Sequence, residues 1–146
     1  MSFLLDTCIL SIGRKINNNK SDKLRIWFDQ QHESNYFISA ISIGEIQTGI
    51  SKLKQNEQQK KTIFENWLIS DLIPRFKHRI LEVDLKTCFL WGELLGTAQK
   101  KGHALTAIDA LIAASAVQHH LVLVTENIQD FIHTGIPLFN PFEDQS

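Results

Sequence analysis

Two short runs constrain this chain most. "FLL" at residues 3–5 and "LVLV" at 121–124 are apolar at every position. A strand with one wet face alternates apolar and polar residues; a strand without polar positions needs cover on both faces. Helices supply that cover in parallel α/β sheets. The remaining sequence offers helices and strands in alternation. Residues 7–14 begin a helix, the polar run "NNNKSDK" at 17–23 reads as a loop, and "KLRIWFDQQ" at 23–31 has helical spacing. "YFISAI" at 36–41 is β-branched and aromatic, as strands are. In "ISIGEIQTGISKL" the apolar residues fall at 43, 46, 50 and 53, one face of a helix. A second amphipathic helix, 57–73, ends at Pro74. "RILEVD" at 79–84 is a strand, 85–102 a helix closed by Gly102, and 106–120 a helix that is almost wholly apolar. "LVLVT" at 121–125 and "IPLFNP" at 136–141 are the last strands. The expectation is one α/β domain over residues 1–146 with a mostly parallel central sheet.

Bulk properties narrow the function classes. A net charge of -1 gives no strongly basic nucleic-acid surface, although local basic patches remain open. Cys8 and Cys88 fit no metal-ligand spacing and read as reduced thiols of a cytoplasmic protein. "MSFLLDTCIL" has no basic segment of the secretory kind, and no apolar run approaches the ~18 residues of a membrane span.

In open α/β sheets, ligands gather beyond the carboxyl ends of the strands. Four carboxylates belong there on this reading. Asp6 ends the first strand, Glu45 and Asp109 sit in first turns of helices, and Asp130 follows "LVLVT" by a few residues. Bare like charges in one place repel, while a hard cation such as Mg²⁺ takes oxygen ligands. Each acid also has a plainer explanation. Ser42–Glu45 and Thr106–Asp109 have capping-box spacing, Asp6 can cap the next helix, and Asp130 can be a loop acid beside Phe131. Asp84 likewise ends a strand and precedes a helix, and reads as an N-cap. Position alone does not separate it from the other four.

A resemblance separates them. "LLDTCIL", "SAISIGEIQTGI", "IDALIAASA" and "LVTENIQDF", in this order and at these intervals, resemble the PIN-domain ribonucleases, and in particular the VapC toxin branch with the related FitB proteins. The likeness covers essentially the whole chain, including the tail "GIPLFNPF". It implies a PIN-like three-layer α/β/α domain and a metal-dependent endoribonuclease, the toxin of a VapBC-type toxin–antitoxin pair. Such an enzyme would hydrolyse RNA, often tRNA or rRNA, with a metal-activated water. By this likeness Asp6, Glu45, Asp109 and Asp130 are the catalytic acids. Asp6 and Asp109 are the main ligands of Mg²⁺, for which Mn²⁺ can substitute. Glu45 and Asp130 complete the pocket, and Thr7, Thr125 and Asn127 orient the acids. A VapB-like antitoxin and a homodimer are implied in the same way. One departure stands out: Cys8 occupies the place of a usual asparagine, as a small buried residue rather than a zinc ligand.

Basic clusters that could meet RNA are Lys52 with Lys54, Lys60 with Lys61, "RFKHR" at 75–79, and Lys100 with Lys101; each also fits a solvated helix face. His119 and His120 suit a helix C-terminus. Trp27, Trp67 and Trp91 fit packing positions, and the helices at 23–31 and 57–73 could line an antitoxin groove. Two other functions compete. One is a catalytically silent PIN-like binding or scaffold module. The other is a phosphohydrolase with Asp6 as nucleophile, which lacks a second Asp two positions on, where Cys8 stands.

Overall fold

The computed structural model describes residues 1–14 and 19–143. The chain runs β1 (Phe3–Leu5), α1 (Thr7–Gly13), α2 (Asn19–Asp29), β2 (Tyr36–Ser39), α3 (Ala40–Ser51) and α4 (Gln58–Asn66). Then come β3 (Ile80–Leu81), α5 (Leu85–Lys101), α6 (Ala107–His119), β4 (Val122–Val124), α7 (Ile128–Phe131) and β5 (Leu138–Phe139). The five strands form one sheet in the order β3-β2-β1-β4-β5, and every pairing is parallel.

The two apolar runs lie side by side at its centre: Phe3 pairs Val122, Leu4 pairs Leu123 and Leu5 pairs Val124. Their side chains divide the core. Phe3 and Leu5 point into a layer with Leu24, Trp27, Ile50 and Leu68, under α1 to α4. Leu4 and Leu123 point into the opposite layer with Ile112, Ala113 and Ala116 of α6. The absence of alternation in "FLL" is thus the mark of a strand buried between helical layers.

Several boundaries differ from the sequence expectation, each for a local reason. β2 stops at Ser39, because Ser39 caps α3 by accepting from Ile41 N at 3.2 Å. Ser42 is therefore inside the helix, and the expected Ser42–Glu45 capping box does not form. The loop expected at 17–23 is helical from Asn19 onward, and its Ser21 is buried; residues 17 and 18 lie outside the described ones. The helix expected to stop at Pro74 continues as a π-helical stretch, Trp67–Leu72, into a last turn, Ile73–Arg75. Widening the turn shifts the hydrogen-bond ladder, so the missing proline N–H and the bulk of its ring cost less. α5 closes on Gly102 with φ of 73°, a conformation glycine adopts without strain. Among the described residues, no helix is long and apolar enough to cross a membrane.

Candidate active site

The chain leaves β1 toward β2 on one side and returns through β4 on the other, so the sheet order switches between β1 and β4. A crevice opens beyond the strand ends at such a point. Asp6 lies in it. Its backbone N–H donates to Val124 O at 2.9 Å, which ties the ends of β1 and β4 together. Asp6 is also the N-cap of α1, as the local sequence suggests. Its Oδ1 accepts from Thr7 N at 2.8 Å, and its Oδ2 accepts from Thr125 Oγ1 at 2.8 Å. The Cys8 thiol adds a longer contact to Oδ2 at 3.6 Å. Oδ1, with one donor, keeps a second lone pair for another partner. Asp6 is only 5% exposed, and burial raises its pKa above the usual carboxylate value. Hydrogen bonds from Thr125, Thr7 and Cys8 oppose that rise, and the charge of Asp130 adds to it.

Glu45 comes in from α3, beyond β2. Thr7 Oγ1 donates to Glu45 Oε1 at 2.6 Å and lies 2.9 Å from Ser42 Oγ. Thr7 is thus the joint between two acids: its amide holds Asp6 and its hydroxyl holds Glu45. Ser42, buried one helical turn before Glu45, closes this link. No local pattern points to that role, because its partner lies 35 residues away.

Asp109 comes from the opposite side. Thr106 caps α6, accepting from Asp109 N at 3.1 Å. The Asp109 carboxyl is pushed up to about 6. Burial is the largest cause, followed by the charge of Asp6, and Asp130 and Glu45 push the same way; a Thr106 hydrogen bond opposes them. All four acids therefore act in one electrostatic field. Asp130 lies on the surface of α7, with its backbone N donating to Asn127 O at 3.0 Å. Asn127 in turn donates its backbone N–H to Thr125 Oγ1 at 3.0 Å, bracing the hydroxyl that holds Asp6.

These residues fit a hard divalent cation. Every anionic donor is a carboxylate oxygen, and the Cys8 thiol stays protonated because burial and Asp6 raise its pKa to about 11. Among the described residues, no three acids stand ready in one coordination cluster. Mg²⁺ does not require one, since it is usually held by one or two carboxylates and keeps several waters.

The basic residues divide. Arg75 and Arg79 of "RFKHR" pair with Glu33, at 2.7 and 3.0 Å, near the β2–β3 edge. Trp27 is core, stacked on Phe139 and edge-on to Phe3. Arg14, which no motif singles out, lies over the Phe64 ring at 4.0 Å. As the C-cap of α1 it continues the face of Thr7 and Ser11 at spacing i, i+4 and i+7, which the sequence itself discloses. That face borders a cleft of about 210 Å³ shared with Glu45, Ile46 and Trp67. Residues 23–31 do not line this cleft.

The PIN domain family matches residues 3–136. A VapC ribonuclease of Sinorhizobium fredii is 28% identical over 96% of this chain and 97% of its own. Toxin FitB of Neisseria gonorrhoeae is 28% identical over 97% of this chain and 99% of its own. The crystal structure of FitAcB from that organism superposes with a TM-score of 0.85 over 97% of this chain and 99% of that one, at 28% identity. The VapBC2 structure of Rickettsia felis, bound to a promoter DNA fragment, superposes with a TM-score of 0.71 at 28% identity, covering 96% and 98%.

Proposed function

Because this chain belongs to the PIN domain family, we propose that it is a metal-dependent endoribonuclease that hydrolyses RNA and acts as the toxin of a VapBC-type pair. One observation carries the reading: buried Asp6, at the switch point of the sheet, is joined through Thr7 to Glu45, and the charges of Asp6, Asp130 and Glu45 all reach Asp109. Acids that converge in one place are costly to a fold unless a cation joins them, which favours a cationic ligand as their reason.

In this reading Asp6 and Asp109 would hold Mg²⁺, with Mn²⁺ as a substitute, and Glu45 and Asp130 would border it. When bound, the ion would lower the pKa of a water and offset charge on the phosphoryl group. The chain's own part is positional. Thr7 and Thr125 fix both oxygens of Asp6, and Thr7 also fixes Glu45, so two acids keep their spacing as substrate enters. The N-terminus of α6 favours the anionic form of Asp109 and opposes the effect of burial. RNA phosphates are repelled by the acids until a cation is present, and Lys101 supplies positive charge nearby.

The VapBC2 neighbour motivates the partner. A VapB-like antitoxin would lay an apolar segment in the cleft between α1, α3 and α4, which ends beside Glu45. A homodimer belongs to the same proposal.

The test is cleavage of cellular RNA by the purified, antitoxin-free chain with Mg²⁺ or Mn²⁺, with EDTA, and with Asp109→Asn. Metal-dependent cleavage that disappears in the variant is expected. Cleavage unaffected by EDTA or by the variant would refute the reading.

A further inference from the structure

A second cleft has one of the acids, Asp130, in its lining. It encloses about 220 Å³ between α5, the loop that leads into α6, and the segment after α7. Leu90 and Leu94 of α5 with Val117 of α6 give apolar walls, and His103, His133 and Lys101 add polar edges. The His103 and His133 rings stack at 3.9 Å between centroids, inclined by 24°. Thr134 steadies the turn that presents His133, its hydroxyl donating to Phe131 O at 2.6 Å. The acid site does not use these histidines.

Position links this cleft to the chemistry. Asp130 belongs to its lining and also to the charge field of Asp109. Ala104 and Leu105 line it too, and they directly precede Thr106, the cap of the helix that carries Asp109. A chain whose phosphate lies at the acids therefore has this cleft beside the neighbouring residue. The size suits one heterocycle, since an apolar cavity of about 150 Å³ holds benzene. A flat aromatic platform with apolar walls and a cation at the rim is how unpaired bases are held, by stacking rather than by helical pairing.

We propose that the cleft is a nucleobase subsite, in which the His103–His133 pair stacks on an unpaired base next to the scissile phosphate. It rests on the nuclease reading for the identity of its ligand. The subsite would make the chain select a splayed, single-stranded position in its RNA rather than a duplex.

Binding tests it without relying on cleavage. The full chain is titrated in EDTA with adenosine, guanosine, cytidine and uridine 5′-monophosphates, and separately with ribose 5-phosphate, while backbone amide NMR signals are followed. At millimolar nucleotide, shifts are expected at 97–105 and 132–134 for at least one nucleotide and not for ribose 5-phosphate. His133→Ala, which removes one ring of the stacked pair, should weaken that binding about tenfold. Ala104→Phe, which fills the cleft while keeping both histidines, should abolish it; unchanged amide dispersion reports that each variant is folded. Equal shifts with ribose 5-phosphate, binding untouched by Ala104→Phe, or no shifts with any nucleotide would each overturn the proposal. A chain that binds nucleotide here but cuts no RNA would retire the nuclease reading and keep the subsite.

Discussion

α5 and α6 pack side by side, and each begins with an aspartate in a capping sequence. Asp84 caps α5, accepts from Thr87 N at 3.0 Å and Oγ1 at 2.9 Å, and takes both its oxygens to Gln118 Nε2 at 3.0 and 3.1 Å. These bonds, with Thr87 first, hold its carboxyl below the usual value. Asp109 sits one helix away with a raised pKa and three acidic neighbours. The same residue type in similar local sequence is thus satisfied in one place and left in excess negative charge in the other. Capping accounts for the first; burial and then the charges of neighbouring acids account for the second.

Exchanging charge for amide at each place separates the two most sharply. Asp109→Asn keeps the shape and removes an anion, and is expected to reduce RNA cleavage to background. Asp84→Asn keeps a good cap and should leave cleavage unchanged. Comparable losses in both would mean that cleavage depends on the α5–α6 packing and not on the acids. The next effect belongs to the residues that hold the acids. Thr125→Val removes the donor to Asp6 Oδ2, and Thr7→Val removes the donor to Glu45. Each should lower cleavage about 10- to 100-fold, the usual cost of losing a group that orients a metal ligand. Raising the Mg²⁺ concentration should recover part of that loss in both.

The contrast also has a pH signature. A carboxyl whose native pKa lies above its unfolded value binds more protons when folded, so it lowers stability as pH rises between the two. For Asp109 that window runs from the ordinary value of 3.8 up to about 6. The metal-free chain should lose stability across it, and Asp109→Asn should flatten the slope. Allowing for solvent screening at a half-buried group, the variant gains on the order of 1 kcal/mol at neutral pH. Urea unfolding in EDTA measures this, and added Mg²⁺ should stabilise the wild type more than the variant. Asp84 contributes with the opposite sign, its effect being lost as the solution is acidified.

The sequence shows local rules and hides contacts between distant segments. The β1 and β4 runs, the Asp84 cap, the Gly102 stop and the Thr106 cap follow from neighbours within a few positions, and all are found. β3 shrinks to two residues because the end of "RILEVD" leaves the sheet ladder before Asp84 caps α5. The Ser42–Glu45 spacing suggests a cap, yet Ser39 takes that role and frees Ser42 to meet Thr7. Arg75 and Arg79 read as an RNA-facing patch until Glu33, more than 40 residues away, is seen between them. His103 and His133 carry no motif, and only the docking of the turn Ile132–Thr134 against α5 stacks them. The acids themselves were legible as a set through the family likeness, since spacing alone allowed a capping role for most of them.

α6 offers the smallest and cleanest test of what distinguishes Asp109. Ser115, two turns further along, is fully buried, and its Oγ is the one buried side-chain polar atom among the described residues without a hydrogen-bond partner. It and Asp109 are both polar groups in an apolar helix that pay for their burial. Ser115 is fully closed to solvent, so no ligand can reach it. Its hydroxyl only loses hydration on folding, and alanine is the better helix former. Ser115→Ala should therefore stabilise the chain by up to about 1 kcal/mol and leave cleavage and Mg²⁺ response untouched. Asp109→Asn should stabilise the metal-free chain by a similar amount and remove both. Two substitutions with equal gains in stability and opposite fates in activity would show that the strain at Asp109 is kept for a ligand, whereas that at Ser115 is an uncorrected packing cost. A loss of stability in Ser115→Ala, seen as a lower urea midpoint at unchanged slope, would mean that its hydroxyl has a partner and that the parallel fails.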